Sequence, residues 1–312
     1  MLCLPLLLAL ISPTTPVAPA LQETLDLRYH PGKDRHTLDI FRTESNETSR
    51  PVVLFVHGGT WMAGDKNFYG INRKAGQMFA RSGFVTVVIN YRLSPFVQHP
   101  EHARDVARAY AWIQKNIHTY GGDPKRVVLV GHSAGGHLAS LVATDPAYLA
   151  DPELKLDPET RRNLRGVVGV SGVYRIPTGE EFQKQIARNI IDSWLDGTKG
   201  PSLAAPLLHL ASPTINPFRM VFGADTAQIR KASPVSHVRK GVPPFLLLYS
   251  EQEPPTLDEM AFDFARRLID RGVPAEVRAF EGCNHRTIVR RLHDEKDVVA
   301  MKVLEFARNR VR

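Results

Sequence analysis

The apolar pattern changes once along the chain. Leu25–Tyr29 and Thr37–Phe41 alternate polar and apolar residues and are separated by His30–Asp34. Alternation with a period of two is typical of strands that bury one face. These segments therefore predict an antiparallel hairpin at the edge of a sheet.

Continuous apolar runs follow the hairpin, and such runs indicate strands that are covered on both faces. They lie at Val52–Val56, Val85–Ile89, Val127–Val130, Val167–Val170 and Phe245–Tyr249, and a further strand is predicted at Ala275–Phe280. Apolar residues spaced by three or four predict helices between and after them, as in Val106–Ile117 and Leu257–Leu268. Thr256 and Glu259 predict a capping box at the start of the second helix. Strands that alternate with helices indicate an open, mostly parallel α/β sheet.

The longest gap between predicted strands runs from about residue 174 to 241. An insertion of this kind is typical of a cap over a functional site, and a flexible surface excursion is the alternative. Its apolar residues favour packing onto the rest of the protein; they are Trp194, Leu203, Leu207, Leu208, Leu210, Phe218 and Phe222.

A Gly-x-Ser-x-Gly sequence, Gly131–Gly135, directly follows the run Val127–Val130 and precedes a helical pattern. A serine at a strand-to-helix turn of this tightness requires glycine on both sides, because a Cβ there would clash. The helix N-terminus then favours negative charge beside the hydroxyl. We interpret Ser133 as a nucleophile, and the alternative is an ordinary serine in a glycine-rich turn.

A hydroxyl nucleophile needs donors for the oxyanion that forms during attack. His57–Trp61 ends the first buried strand and contains two glycines that let the backbone bend around a substrate oxygen. The predicted donors are the amides of Gly59, Thr60 and Ala134. His57 is expected to brace this loop.

The general base is predicted to be His285, which follows the last predicted strand and so lies at the carboxyl edge of the sheet. His132 and His137 are interpreted as packing or hydrogen-bonding residues, and His293 is expected to be exposed. Cys283 is expected to be a small buried residue.

The acid should lie between the serine and the histidine in the chain and follow the strand Phe245–Tyr249. Glu253 is the preferred candidate. Glu251 and Asp258 remain alternatives, because loop geometry could direct either of them to the histidine.

Composition narrows the classes of function. The chain has 312 residues, suited to one large α/β domain, and a net charge of +8 spread over scattered basic residues. Because no basic run is interleaved with aromatic residues, nucleic-acid binding is not expected. There is no metal-ligand spacing and no dinucleotide glycine fingerprint, so neither a metal nor a cofactor is predicted. No later run is long enough to predict stable membrane insertion, and the oligomeric state is left open.

The first 20 residues resemble an export signal. An apolar run at Leu2–Ile11 is followed by a Pro- and Thr-rich stretch that ends in Ala18-Pro19-Ala20, an Ala-x-Ala cleavage pattern. The alternative is a disordered tail. The prediction is a signal peptide at 1–20, a mature domain at 21–312 and a secreted or periplasmic location.

The motifs His57–Trp61, Tyr120–Pro124 and Gly131–Gly136 together resemble the α/β-hydrolase superfamily. Within it, the chain is similar to the hormone-sensitive-lipase-like and kynurenine-formamidase-like carboxylesterases. The resemblance implies an eight-stranded sheet, a serine–acid–histidine triad and no cofactor. Thr60 stands where the lipase-like branch usually has a third glycine, and Ser250–Glu253 replaces its usual Gly-x-x-Asp, so the acid would be a glutamate.

The resulting prediction is a serine esterase that cleaves carboxylic esters of small to medium acyl groups, on small-molecule or polysaccharide-linked substrates. Two alternatives are kept. One is an arylformamidase or amide hydrolase, and the other is a non-catalytic binding protein on a hydrolase fold.

Overall fold

The computed structural model describes residues 19–32, 34–45, 47–181, 217–254 and 256–312. Most of the predicted export signal, at 1–18, lies outside the described residues. So do residues 182–216 of the predicted cap insertion. Both remain predictions from sequence.

The central element is a sheet of eight strands in the spatial order β1-β2-β4-β3-β5-β6-β7-β8. The strands are β1 Leu21–Arg28, β2 Thr37–Thr43, β3 Arg50–Val56, β4 Val85–Ile89, β5 Gly122–His132, β6 Leu164–Val170, β7 Phe245–Gln252 and β8 Ala275–Asn284. β2 runs antiparallel to both β1 and β4, and all other pairs are parallel. The predicted edge hairpin and the mostly parallel α/β sheet are therefore confirmed.

Helices cover both faces of the sheet. Those of the described ranges are α1 Ile71–Arg81, α2 Glu101–Asn116, α3 Ala134–Thr144, α4 Pro146–Leu149, α5 Pro158–Arg161, α6 Pro217–Phe222, α7 Thr226–Lys231, α8 Leu257–Asp270 and α9 Val298–Arg310. Short 3-10 helices lie at Ile117–Tyr120, Pro152–Leu154, Pro234–His237 and Ile288–His293. Over these ranges, no helix combines the length and the apolar character needed to cross a bilayer.

Successive residues of the central strands point to opposite faces of the sheet, so their side chains enter two separate hydrophobic cores. In β3, Val52, Leu54 and Val56 pack toward α2, α3 and α8, whereas Val53 and Phe55 pack toward α1 and α9. All five side chains are fully buried. Burial on both faces explains why the strand sequences are continuously apolar, and it makes the sheet a rigid platform for the loops at its carboxyl edge.

The predicted capping box at α8 does not form. Thr256 directly precedes the helix, as expected, but its φ of 71° lies in the left-handed region and its side chain makes no capping hydrogen bond. A capping serine or threonine needs an extended backbone to turn its oxygen toward the first helical amides. The sequence pattern was therefore correct about the boundary and wrong about the contact.

A buried ion-pair network fixes the loop after β4. Asp105 of α2 is fully buried and accepts hydrogen bonds from the Arg92 guanidinium at 2.7 and 2.8 Å. Nη1 of Arg108 and Nε2 of His36 each lie 3.0 Å from Oδ1 of Asp105. Burial alone would raise the pKa of Asp105, but these hydrogen bonds outweigh it and hold the carboxyl ionised. The network ties α2 to the carboxyl end of β4.

Candidate active site

Ser133 lies on a tight turn between β5 and α3. Its backbone is strained, with φ of 53° and ψ of −118°, and its amide donates to the Val170 carbonyl at 2.8 Å. A Cβ on Gly131 would lie 2.2 Å from the Gly135 oxygen, and a Cβ on Gly135 would lie 2.0 Å from the Val56 oxygen. Both flanking positions therefore require glycine, as the sequence predicted, and the turn lifts the serine hydroxyl out of the sheet edge.

Ser133, His285 and Glu253 form one hydrogen-bonded chain. Nε2 of His285 lies 2.9 Å from Oγ of Ser133, and Nδ1 lies 2.6 Å from Oε2 of Glu253. His285 follows β8, and Glu253 follows β7, so neighbouring strands deliver both groups to the same edge. This is the geometry in which an imidazole can remove the proton of a serine hydroxyl while a carboxylate holds its other nitrogen.

The three acidic candidates differ clearly in position. Glu253 contacts His285, whereas Oε2 of Glu251 accepts a hydrogen bond from the Gly282 amide at 3.2 Å. Asp258 lies in the first turn of α8, and no contact joins it to His285 within the described residues. The geometry thus separates alternatives that the sequence left open.

The remaining oxygen of Glu253 is also held. Oε1 accepts hydrogen bonds from the amide and the hydroxyl of Ser250, both at 2.8 Å, and from the hydroxyl of Ser171. Burial would raise the pKa of Glu253, but the hydrogen bonds from His285, Ser171 and Ser250 outweigh it and lower the pKa below its usual value. The carboxyl is therefore an ionised hydrogen-bond acceptor at neutral pH.

The loop after β3 lies next to the serine: a Cβ on Gly58 would be 3.1 Å from Cβ of Ser133. Gly59 and Thr60 have φ of 120° and 52°, and the Gly59 carbonyl accepts hydrogen bonds from the amides of Met62 and Ala63. In the described parts of the chain, no group accepts a hydrogen bond from the amides of Gly59 and Thr60. The amide of Ala134 is in the first turn of α3, where intrahelical partners do not exist. These are three amides of the kind that bind an oxyanion.

The buried ring of His57 holds the backbone of this loop through a hydrogen bond. Its ring stacks on Tyr91 with centroids 4.4 Å apart, and Nδ1 lies 2.7 Å from the carbonyl oxygen of Gly58. Complete burial lowers its pKa to about 4, so the ring is neutral and Nδ1 donates. Because the carbonyl and amide of one peptide unit point in opposite directions, this bond sets the direction of the Gly59 N–H.

Two further histidines brace the site, in agreement with their interpretation as hydrogen-bonding residues. Nε2 of His132 donates to the His285 carbonyl at 2.8 Å, and burial lowers the pKa of His132 to about 4. His137 accepts from Nε1 of Trp61 at 3.1 Å and donates to the Ala232 carbonyl at 2.7 Å. His293 differs from the expectation of exposure: it is half-buried, and Nε2 lies 2.9 Å from the Ile71 carbonyl.

Aromatic rings pack beside the loop of residues 57–61. The ring of Trp61 is 4.9 Å from that of Phe222 and 6.0 Å from that of Phe218, both in α6. The described end of the long insertion therefore packs against the site. Whether the insertion acts as a cap stays a prediction.

Cys283 is buried, as expected, and its thiol donates to the Phe280 carbonyl at 3.3 Å. Across the described ranges, no group of three or more His, Cys, Asp or Glu side chains is arranged to hold a metal ion.

Neither Ser171 nor Ser250 was predicted to contact the acid. Ser250 is the first residue of the Ser250–Glu253 segment, but no motif marks Ser171, and its one available signal is position: it lies at the carboxyl end of β6, at the same edge of the sheet as Ser133 and His285.

The sequence matches the BD-FAE family model over residues 38–266. Two curated relatives are Esterase LipQ and Esterase LipC of Mycobacterium tuberculosis. LipQ is 31% identical over 257 residues, which cover 78% of this chain and 53% of LipQ. LipC is 30% identical over 243 residues, which cover 74% of this chain and 51% of LipC. The chain thus spans about half the length of these relatives.

Among solved structures, esterase B of Lactobacillus rhamnosis HN001 is similar in fold, with a TM-score of 0.70 at 21% sequence identity. The alignment covers 94% of this chain and 86% of that structure. The likeness extends over nearly the whole α/β architecture.

Proposed function

This chain belongs to the BD-FAE family of α/β hydrolases, and from that premise we propose that it is a serine hydrolase of carboxylic esters. One observation carries the proposal. The imidazole of His285 bridges the hydroxyl of Ser133, at 2.9 Å, and the carboxylate of Glu253, at 2.6 Å. The names of the relatives LipQ and LipC, both esterases, support the choice of ester over other acyl compounds.

In the acylation step, Oγ of Ser133 attacks the ester carbonyl carbon while Nε2 of His285 takes the hydroxyl proton. The carbonyl oxygen gains the negative charge, and the amides of Gly59, Thr60 and Ala134 bind it. When the intermediate collapses, the carbon–oxygen bond to the alcohol breaks. Nε2 then returns the proton to the departing alcohol oxygen.

In the deacylation step, water takes the place of the alcohol. His285 removes a proton from the water, the hydroxide oxygen bonds to the acyl carbon, and the oxyanion forms again at the same amides. Collapse releases the carboxylic acid and returns the proton to Ser133. Throughout, Glu253 holds Nδ1–H and stabilises the imidazolium without itself taking the proton.

The proposed substrates carry small to medium acyl groups on a small-molecule or polysaccharide-linked alcohol. The support is an apolar cluster beside residues 57–61, formed by Trp61, Phe218 and Phe222, in which Trp61 and Phe222 are almost completely buried. A series of nitrophenyl esters from acetate to decanoate, together with acetylated xylan, tests this proposal. A kcat/KM that rises along the whole series and is highest for decanoate, the longest ester, would contradict it.

The reaction itself is tested by Ser133→Ala, with Ser140→Ala as the matched control. Ser140 is also buried, lies in α3 behind the turn, and its hydroxyl has no partner among the described groups. We expect ester turnover and fluorophosphonate labelling to be lost in Ser133→Ala alone. An unlabelled wild-type protein would indicate a non-catalytic binder, and turnover of a formylated arylamine but no ester would indicate an amide hydrolase.

We also propose that the chain is exported, as the apolar run and the Ala18-Pro19-Ala20 pattern predict. N-terminal sequencing of the protein recovered outside the cytoplasm is expected to begin near residue 21. Recovery of the intact N-terminus in the cytoplasm would overturn this proposal.

A further inference from the structure

Ser171 lies at the carboxyl end of β6 and donates its hydroxyl hydrogen to Oε1 of Glu253. Its side chain is almost completely buried, and its amide donates to the Leu248 carbonyl of β7 at 2.7 Å. The hydroxyl therefore sits at a fixed place, on a different strand from the loop that carries Glu253.

We propose that Ser171 is a positioning residue of the reaction, which acts on His285 only through Glu253. The inference rests on the proposed function. Oε1 of Glu253 is held by Ser171 on one side and by Ser250 on the other, and Oε2 is thereby directed to Nδ1 of His285.

The contact between Ser171 and Glu253 matters because the acid is a glutamate, which has a longer side chain than aspartate. Glutamate has one more rotatable bond than aspartate, so a glutamate bound through a single oxygen can turn its carboxylate plane away from the imidazole. Here Oε1 is held by Ser171 at the end of β6 and by Ser250 of β7, and Oε2 is held by Nδ1 of His285, so both oxygens are fixed and that freedom is removed. Hydrogen bonds to an ionised and buried carboxylate are also among the stronger ones in proteins.

The backbone of Ser171 supports the same role. Its φ of 50° lies in the left-handed region, which glycine adopts without strain and serine does not. The chain has serine at 171, where the backbone is strained, and glycine at 172. A side-chain function accounts for keeping the hydroxyl at a position that the backbone alone would give to glycine.

The test is a double-mutant cycle of Ser171→Gly and Glu253→Ala, because glycine removes the hydroxyl and relieves the backbone at the same time. The readouts are kcat and KM on a nitrophenyl ester and the rate of fluorophosphonate labelling of Ser133. We expect Ser171→Gly to lower kcat and the labelling rate about tenfold to hundredfold, with KM changed less than about twofold. In the Glu253→Ala background, the same substitution should cause no further loss.

Three further variants complete the series. Ser250→Ala should cause a smaller loss, because the Ser250 amide still donates to Oε1. If Ser171→Gly does not fold, Ser171→Cys carries the same cycle, since the thiol is a weaker donor of similar size. Ser140→Ala serves as the control for removal of a buried hydroxyl.

The outcomes separate the two proposals. Wild-type labelling with an unchanged rate in Ser171→Gly overturns the positioning role alone. An equal loss in the presence and absence of the Glu253 carboxylate also overturns it, because Ser171 would then act by another route. A wild-type protein that does not react at Ser133 overturns the proposed function, and the positioning role with it.

Discussion

Nδ1 of His285 lies 2.6 Å from Oε2 of Glu253, although the two residues are 32 positions apart in the chain. Glu251, two residues before Glu253, instead accepts a hydrogen bond from the Gly282 amide in β8. Residues two apart in an extended strand point to the same side, but Glu253 lies just past β7, where the chain leaves the sheet, and so does not follow Glu251. Two neighbouring carboxylates therefore have different surroundings and different roles.

Glu253→Gln is expected to reduce kcat by roughly 10³- to 10⁴-fold, because an amide can favour the wrong imidazole tautomer and does not stabilise the imidazolium. Glu251→Gln is the matched control, with kcat within about twofold of wild type. Steady-state kinetics on one nitrophenyl ester measures both. A larger loss in Glu251→Gln than in Glu253→Gln would reverse the assignment of the acid.

Gly131→Ala is expected to destabilise the protein by at least about 2 kcal/mol, because the new Cβ would lie 2.2 Å from the Gly135 oxygen and the backbone must move. Gly179→Ala is the control, since a Cβ at that position meets nothing within 4 Å. Urea unfolding measures the difference in free energy. Equal stability of the two variants would mean that the turn can widen without cost.

Acid is expected to destabilise the protein between about pH 6.5 and pH 4. Burial lowers the pKa of His57, His99, His102 and His132 to about 4 and that of His137 to about 3. In that interval the unfolded chain binds these protons and the native protein does not, so the free energy of unfolding falls as the pH falls.

The slope of that pH dependence is itself testable. Each such histidine contributes at most about 1.4 kcal/mol per pH unit, the free energy of one proton bound by the unfolded chain alone. His99→Gln removes one titrating ring that lies outside the hydrogen-bonded chain of Ser133, His285 and Glu253. The slope of the free energy of unfolding against pH should therefore decrease by up to about 1.4 kcal/mol per pH unit. Urea unfolding at pH 7, 6 and 5 measures it, and an unchanged slope would show that His99 is already protonated in the native state.

Asp105→Asn is expected to cost about 3 to 5 kcal/mol of stability, because it leaves the Arg92 and Arg108 guanidinium groups without their buried counter-ion. Glu153→Gln removes an exposed partner of the same Arg108 and should cost less than about 1 kcal/mol. Thermal or urea unfolding distinguishes the two. A cost for Asp105→Asn no larger than that for Glu153→Gln would refute the structural importance of the network.

Local patterns were sufficient for the strands, for the turn at Ser133 and for the choice of His285. A tight turn needs glycine at fixed spacing, and a buried parallel strand needs an unbroken apolar run, so both leave a signature in neighbouring residues. The capping box at Thr256 was predicted from residue spacing, which specifies only which residues can bond. It does not form, because the φ of Thr256 lies in the left-handed region and its side chain makes no capping hydrogen bond.

The tertiary structure decided which carboxylate meets the imidazole and which serines hold that carboxylate. Glu253, Ser171 and His285 arrive from three different strand ends, and their separation depends on sheet order and on loop conformation rather than on any short run of sequence. The amino-acid sequence by itself determined the sheet, the tight turn that carries Ser133 and the position of His285 at the carboxyl edge of the sheet. The convergence of distant side chains was decided only by folding, because contacts between residues far apart in the chain depend on long-range packing.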